Sequence, residues 1–287
     1  MAYAGIVTPM VTPMDREGKP DRKGTEKLVE FLISSGVDGL FPMGSTGLFP
    51  WFGREERKKF IGWCAELSGG RPVYAGIGSS SSSEAVELAR DAIDAGATAL
   101  VLMPSYYITL DQKEIYNHFS YVISKVDADF ILYNIPQLAG SWILPETVQK
   151  IREEFSQVKG LKESSGDMRF FERIVSMASR DFAVFQGQDD LLLASLSLGA
   201  SGGVVGLSNF TTYCTELYSL FREGKYQEAR KVQVEKVNRV MQAVNSVTFP
   251  IGYYYATYRK LGIDGGFRQP MYMPDEAARR AIDSVVL

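Results

Sequence analysis

The chain has 287 residues, 45% hydrophobic and 23% charged, with a net charge of −3 and a pI near 5.5. This is the composition of an ordinary soluble enzyme, and it excludes a basic nucleic-acid-binding surface, so an anionic substrate must be held by local donors. Two cysteines, Cys64 and Cys214, do not make a disulfide framework and point to the reducing cytosol, while the start Met1-Ala2-Tyr3-Ala4-Gly5 lacks an export signal and no apolar run is long enough to span a membrane.

Strand-like apolar segments alternate with amphipathic helix-like ones along the chain. The predicted pairs are 5–10 with 26–34, 39–43 with 54–67, 73–77 with 84–95, and 99–103 with 112–125. They continue as 130–133 with 146–155, 158–162 with 169–178, 183–186 with 191–198, and 203–205 with 211–221. Eight such pairs predict an α/β fold of the closed (β/α)8 TIM-barrel kind rather than an open sheet. Further helical segments at 226–247, 251–260 and 276–286 predict additional C-terminal helices. The expected division is a barrel over 1–224 and a helical extension over 225–287 packed on it, forming one catalytic unit. The serine run 79–83 is read as a loop and helix N-cap rather than a tether.

Polar residues follow successive strands: Ser45 and Thr46, Ser79, Tyr106, Tyr133, Lys162, Asp189 and Ser208. In a barrel, everything after a strand faces one rim, so these groups are expected to converge. Lys162 closes the apolar run Val158-Lys159-Gly160-Leu161-Lys162, and Tyr133 ends Phe130-Ile131-Leu132-Tyr133 one βα unit earlier. A partly desolvated amine there can attack a ketone to form a Schiff base, and a neighbouring phenol can move protons. The bland alternative for Tyr133 is a core aromatic; Asn134 and Pro136 end its strand sharply and aim it at the rim instead. Gly44-Ser45-Thr46-Gly47 offers hydroxyls and backbone N–H groups to a carboxylate, although taken alone it also reads as a plain turn. His118, the only histidine, lies in an amphipathic stretch and is expected on a helix surface. With one histidine and no Cys-x-x-Cys pair, a metal site is not expected. No cofactor is expected either, since neither a dinucleotide nor a Walker motif is present.

Together, Gly44-Ser45-Thr46-Gly47, Tyr133-Asn134-Ile135-Pro136, Gly160-Leu161-Lys162-Glu163-Ser164-Ser165-Gly166-Asp167 and Gly187-Gln188-Asp189-Asp190 resemble the pyruvate-dependent class I aldolases of the dihydrodipicolinate synthase and N-acetylneuraminate lyase superfamily. The resemblance covers nearly the whole chain. It implies a barrel, usually tetrameric, with Lys162 as Schiff-base lysine, Tyr133 as acid/base, and Ser45, Thr46 and Gly47 at the pyruvate carboxylate. Tyr106 matches the tyrosine contributed across a subunit interface, with Tyr107 as a rival. The chain has Gln137-Leu138-Ala139-Gly140 where dihydrodipicolinate synthases usually carry an arginine, and Leu48 where that family and the sialic acid lyases tend to have glutamate. Gly44-Ser45-Thr46-Gly47-Leu48, with Pro50 and the 54–57 run, looks most like archaeal 2-keto-3-deoxygluconate aldolases, enzymes of Entner-Doudoroff sugar-acid breakdown. Pro136, Ser164, Gly187, Asp189 and Asp190 would then lie near the sugar acid, the alternative for the two aspartates being helix N-capping. Ile108-Thr109-Leu110 offers no arginine for a phosphate, so the unphosphorylated acid is the expected substrate, with pyruvate and glyceraldehyde as products. The rivals are another pyruvate-dependent lyase of the superfamily and a catalytically silent barrel acting as a binding protein.

Overall fold

A computed structural model describes residues 3–287. Eight parallel strands form the barrel: β1 (Gly5–Pro9), β2 (Gly39–Phe41), β3 (Tyr74–Gly76), β4 (Ala99–Leu102), β5 (Phe130–Asn134), β6 (Val158–Glu163), β7 (Ala183–Gln186) and β8 (Gly202–Val204). They run β2-β1-β8-β7-β6-β5-β4-β3, and the two ends of that order meet through Leu40 N–H donating to Pro72 O and Gly76 N–H donating to Pro42 O, each at 3.0 Å. Gly76 is required at this seam, because a Cβ there would lie 1.8 Å from the Met43 carbonyl oxygen. Apart from the half-buried Lys159, every strand residue is buried, as expected where helices cover a parallel sheet.

The outer helices are α1 (Arg22–Ser34), α2 (Arg54–Leu67), α3 (Ser82–Asp94), α4 (Gln112–Ile123), the one-turn α5 (Pro136–Ala139), α6 (Pro145–Glu154), α7 (Met168–Val175), α8 (Leu192–Ser197) and α9 (Tyr213–Arg222). Their starts are written in side-chain chemistry. Asp21 accepts from the N–H groups of Lys23 and Gly24, Asp167 accepts from those of Arg169 and Phe170, and Asp111 with Glu114 closes a reciprocal capping box. Ser81 is the N-cap of α3 within the serine run. The turn α5 is new relative to the sequence reading: Pro136 occupies its first position, where a missing N–H costs nothing, and Gly140 ends it in the left-handed region at φ 74°.

The C-terminal segment forms α10 (Tyr226–Lys231), a wide π turn (Val232–Val237), α11 (Asn238–Val244), α12 (Ile251–Leu261) and α13 (Glu276–Val286). It is tied to the barrel by polar contacts as well as packing. The hydroxyls of Tyr254 and Tyr258 on α12 accept from the backbone of Thr12 (3.0 Å) and Met14 (2.9 Å), pinning the loop after β1. In the π turn, Gln233 donates to Asp189 O and Asn238 Oδ1 and accepts from Leu193 N–H, so the widened turn grips the loop after β7.

His118 corrects the surface placement expected from its amphipathic stretch. It is only 3% exposed, packed between α3 and α4. Its Nε2 donates to Met103 O at 3.1 Å, and because a carbonyl only accepts, Nδ1 is left to accept from Ser82 Oγ at 2.8 Å. Burial depresses its pKa to about 4, with the Met103 hydrogen bond opposing that fall. The helical pattern allowed either face; the adjoining Phe119, which is fully buried, marks the side that turns inward.

Candidate active site

Lys162 and Tyr133 are direct neighbours in the β5–β6 register. Both side chains are 4% exposed, and Lys162 Nζ lies 4.0 Å from the Tyr133 ring centroid and 5.1 Å from that of Phe41. The strand period of two sends Lys162 inward, over a layer that includes Val7, Ile131, Phe185 and Val204, while Glu163 lies outside with Asn134. No described carboxylate forms a salt bridge with the Lys162 amine, so no ion pair competes with its attack on a carbonyl.

Above the amine opens a cavity of about 270 Å3, with Thr46, Tyr133, Lys162, Ser164 and Gly187 in its wall. Its remaining wall includes Gln137, Gln188, Met241, Asn245, Phe249 and Tyr253, none of them chosen by sequence reasoning as site residues. A second, apolar cavity of about 220 Å3 shares Leu138 and Phe249 with the first and contains Ser45, Phe49 and Tyr106. The loop carrying Ser45 and Thr46 is bracketed by Met43 and Leu48, both at φ 57°, a conformation unusual for residues with a Cβ and concentrated at functional sites. Ser45 Oγ and Ser164 Oγ are buried without a protein hydrogen-bond partner. Gly187 leaves room for the second one, since a Cβ at that position would lie 1.8 Å from Ser164 Oγ.

Other expected positions play different parts. Gly47 is absent from the cavity wall and packs against the loop after β1: its carbonyl accepts from Thr12 Oγ1 at 2.8 Å, and a Cβ would crowd Met10 O at 2.9 Å. Pro136 initiates α5 and is absent from the cavity wall, to which the next two residues contribute. Asp189 borders the cavity, but its carboxylate is engaged by the N–H groups of Gly206 (3.0 Å) and Leu207 (2.7 Å), so it holds the turn after β8 instead of presenting both oxygens to a sugar. Burial pushes its pKa up to about 6 against those two hydrogen bonds. Asp190 is exposed and outside the cavity wall. Neither aspartate makes an N-capping side-chain bond; both lie in the 3-10 turn after Gln188. Tyr106 packs edge-on against Phe49 at 5.7 Å, whereas Tyr107 is 90% exposed at φ 82°.

Polar groups behind the site hold its loops. Glu163 accepts from Asn134 Nδ2 (3.1 Å) and Ser165 N–H (2.8 Å), burial pushes its pKa up, and Asn134 Oδ1 accepts from Ile143 N–H (3.0 Å). The buried Arg57 donates to the carbonyls of Gly76 and Gly78 and lies over Phe49, and desolvation lowers its pKa to about 10. The run 54–57 enters the sequence reading only as a likeness, although the spacing of Arg57 from Phe60, Ile61 and Cys64 puts it on the apolar face of α2 while Arg54 and Glu55 are exposed.

A lysine and a tyrosine thus meet at the carboxyl ends of adjacent strands in a closed parallel barrel, an arrangement chemically able to form an imine and relay protons. Comparison with known proteins agrees: the Dihydrodipicolinate synthetase family matches residues 2–286, and the chain belongs to that family. It is 54% identical over 281 residues to an uncharacterised DapA-like lyase of Thermoplasma acidophilum, covering 98% of this chain and 96% of the relative. It is 46% identical over 263 residues to the 2-dehydro-3-deoxy-D-gluconate/2-dehydro-3-deoxy-phosphogluconate aldolase of Picrophilus torridus, covering 92% and 98%. The solved 2-keto 3-deoxygluconate aldolase from Picrophilus torridus superimposes with a TM-score of 0.92 at 46% identity, covering 95% of this chain and 98% of that one. A dihydrodipicolinate synthase from Bacillus anthracis superimposes with a TM-score of 0.94 at 28% identity, covering 100% and 98%. The chain is therefore a carbon-carbon lyase of the pyruvate-aldolase superfamily. No helix among the described residues is long and apolar enough to cross a membrane.

Proposed function

We propose that the protein reversibly cleaves 2-keto-3-deoxygluconate to pyruvate and glyceraldehyde, preferring the unphosphorylated acid. The observation that carries this is the buried Lys162 amine beside Tyr133 under a cavity where Lys162 is the only cationic side chain. Similarity to the Picrophilus torridus aldolases supports the choice of substrate. Lys162 Nζ attacks the C2 ketone, and Tyr133 gives its proton to the carbinolamine hydroxyl, which leaves as water. The C4 hydroxyl then returns a proton to the Tyr133 oxygen as the C3–C4 bond breaks. Its electrons enter the protonated imine to form an enamine, and glyceraldehyde departs. The enamine takes up a proton at C3, and water releases pyruvate and the free amine. Thr46 and Ser45 hold the C1 carboxylate through the reaction.

In this reading the segments 1–224 and 225–287 are one catalytic unit, supported by Met241 and Tyr253 lining the same cavity as Lys162. The enzyme works in the cytosol as a homotetramer, a reading to which the exposed apolar Tyr107 and Ile108 beside the rim lend support. A monomeric mass by light scattering would remove the tetramer.

The decisive experiment is incubation with 2-keto-3-deoxygluconate, borohydride reduction and mapping by mass spectrometry. A three-carbon pyruvyl adduct on Lys162, lost in Lys162→Ala together with turnover, is expected. A six-carbon adduct alone points to another substrate, and no adduct overturns the assignment of Lys162 and of this substrate.

A further inference from the structure

We propose that Gln137 and Gln188 form a carboxamide pair that reads the neutral hydroxyls of the aldehyde half of the substrate; this rests on the aldolase reading above. Gln137 follows β5 and Gln188 follows β7, so the two stand on either side of β6, which carries Lys162. Both donate Nε2–H to one acceptor, the carbonyl of Ser164, at 2.6 and 2.8 Å. That carbonyl has two lone pairs and cannot donate, so the shared contact fixes the orientation of both amides: nitrogen toward Ser164, oxygen away from it. Neither Oε1 accepts a hydrogen bond from a described residue, and both residues, Gln137 exposed and Gln188 half-buried, line the cavity above the amine. Ser164 itself belongs to the same wall, its buried Oγ without a protein partner.

Two amide oxygens oriented away from Ser164 match a ligand that brings O–H donors and no charge. A carboxylate or phosphate there would meet acceptor oxygens without a cation, whereas each sugar hydroxyl can donate to an Oε1 and still accept elsewhere. Pyruvate occupies the lysine end, so the hydroxyls that reach this pair are those of the aldehyde fragment.

The test runs the reaction in the synthesis direction, with pyruvate and either glyceraldehyde or propanal, which lacks both hydroxyls. The readout is the ratio of kcat/KM for the two aldehydes in the unsubstituted enzyme, Gln137→Leu and Gln188→Leu. The unsubstituted enzyme is expected to prefer glyceraldehyde, and each substitution to lower that preference by about 3- to 10-fold, the range for one neutral hydrogen bond. Aldehyde hydration in solution cancels between enzymes. If the glutamines only secure the Ser164 carbonyl, both aldehydes slow together and the ratio stays fixed, which overturns the proposal. Absence of any preference in the unsubstituted enzyme overturns it without recourse to a variant. Borohydride trapping of pyruvate on Lys162 separates the two readings: a trapped imine with an unchanged ratio removes only the glutamine pair, and no imine removes the aldolase and the pair together.

Discussion

His118 makes this protein's stability depend on pH in a way that can be isolated. Its folded pKa of about 4 lies below the ordinary imidazole value of about 6.5 because the ring is buried away from water. Between those values the unfolded chain takes up a proton that the folded one refuses, so stability falls as the solution is acidified through the window. Each pH unit is worth about 1.4 kcal/mol of linked free energy, and the whole window therefore contributes roughly 3 kcal/mol. In His118→Gln, an amide can bridge Met103 O and Ser82 Oγ without titrating. Urea denaturation at pH 7 and pH 4.5 should show the parent losing about 2 to 3 kcal/mol more than the variant, the carboxylates titrating in both. As the only histidine in the sequence, His118 also gives a single, unambiguous imidazole resonance in an NMR titration. Equal acid sensitivity in parent and variant, or an imidazole titrating near 6.5, would refute the buried neutral ring.

Tyr133→Phe keeps the ring beside Lys162 and removes only the hydroxyl that relays protons. The expected loss in kcat is on the order of 100-fold or more, with the pyruvate adduct on Lys162 still trappable; near-parental turnover in stopped-flow or steady-state assays would take the proton relay away from this residue. Substrate charge gives a separate test, because Lys162 is the only cationic side chain in the wall of its cavity. The kcat/KM for 2-keto-3-deoxygluconate should exceed that for its 6-phosphate ester, and a stronger preference for the ester would contradict the neutral-tail reading.

The alternation of strand and helix patterns is a local property, since each apolar run or amphipathic face is written within a dozen residues. It determined the eight-fold barrel, and the spacing of Tyr133 and Lys162 placed them one unit apart, which in a parallel barrel means adjacent strands. The motifs carrying Ser45, Thr46, Ser164 and Gly187 stood out in the sequence by resemblance to a family, and the structure puts Thr46, Ser164 and Gly187 in the wall of the Lys162 cavity and Ser45 in the adjoining one. What tertiary structure decided is which way a side chain faces and what reaches it from far along the chain. The carboxylate of Asp189 is taken by the backbone of Gly206 and Leu207, a contact between two consecutive units that no local pattern encodes. His118 turns inward because Ser82 and Met103 meet it there. The pairing of Gln137 and Gln188 on one carbonyl arises only when β5, β6 and β7 lie side by side. Met241, Asn245, Phe249 and Tyr253 enter the cavity wall because the C-terminal helices pack back across the barrel, a long-range arrangement driven by burial of apolar surface, which has no direction along the sequence.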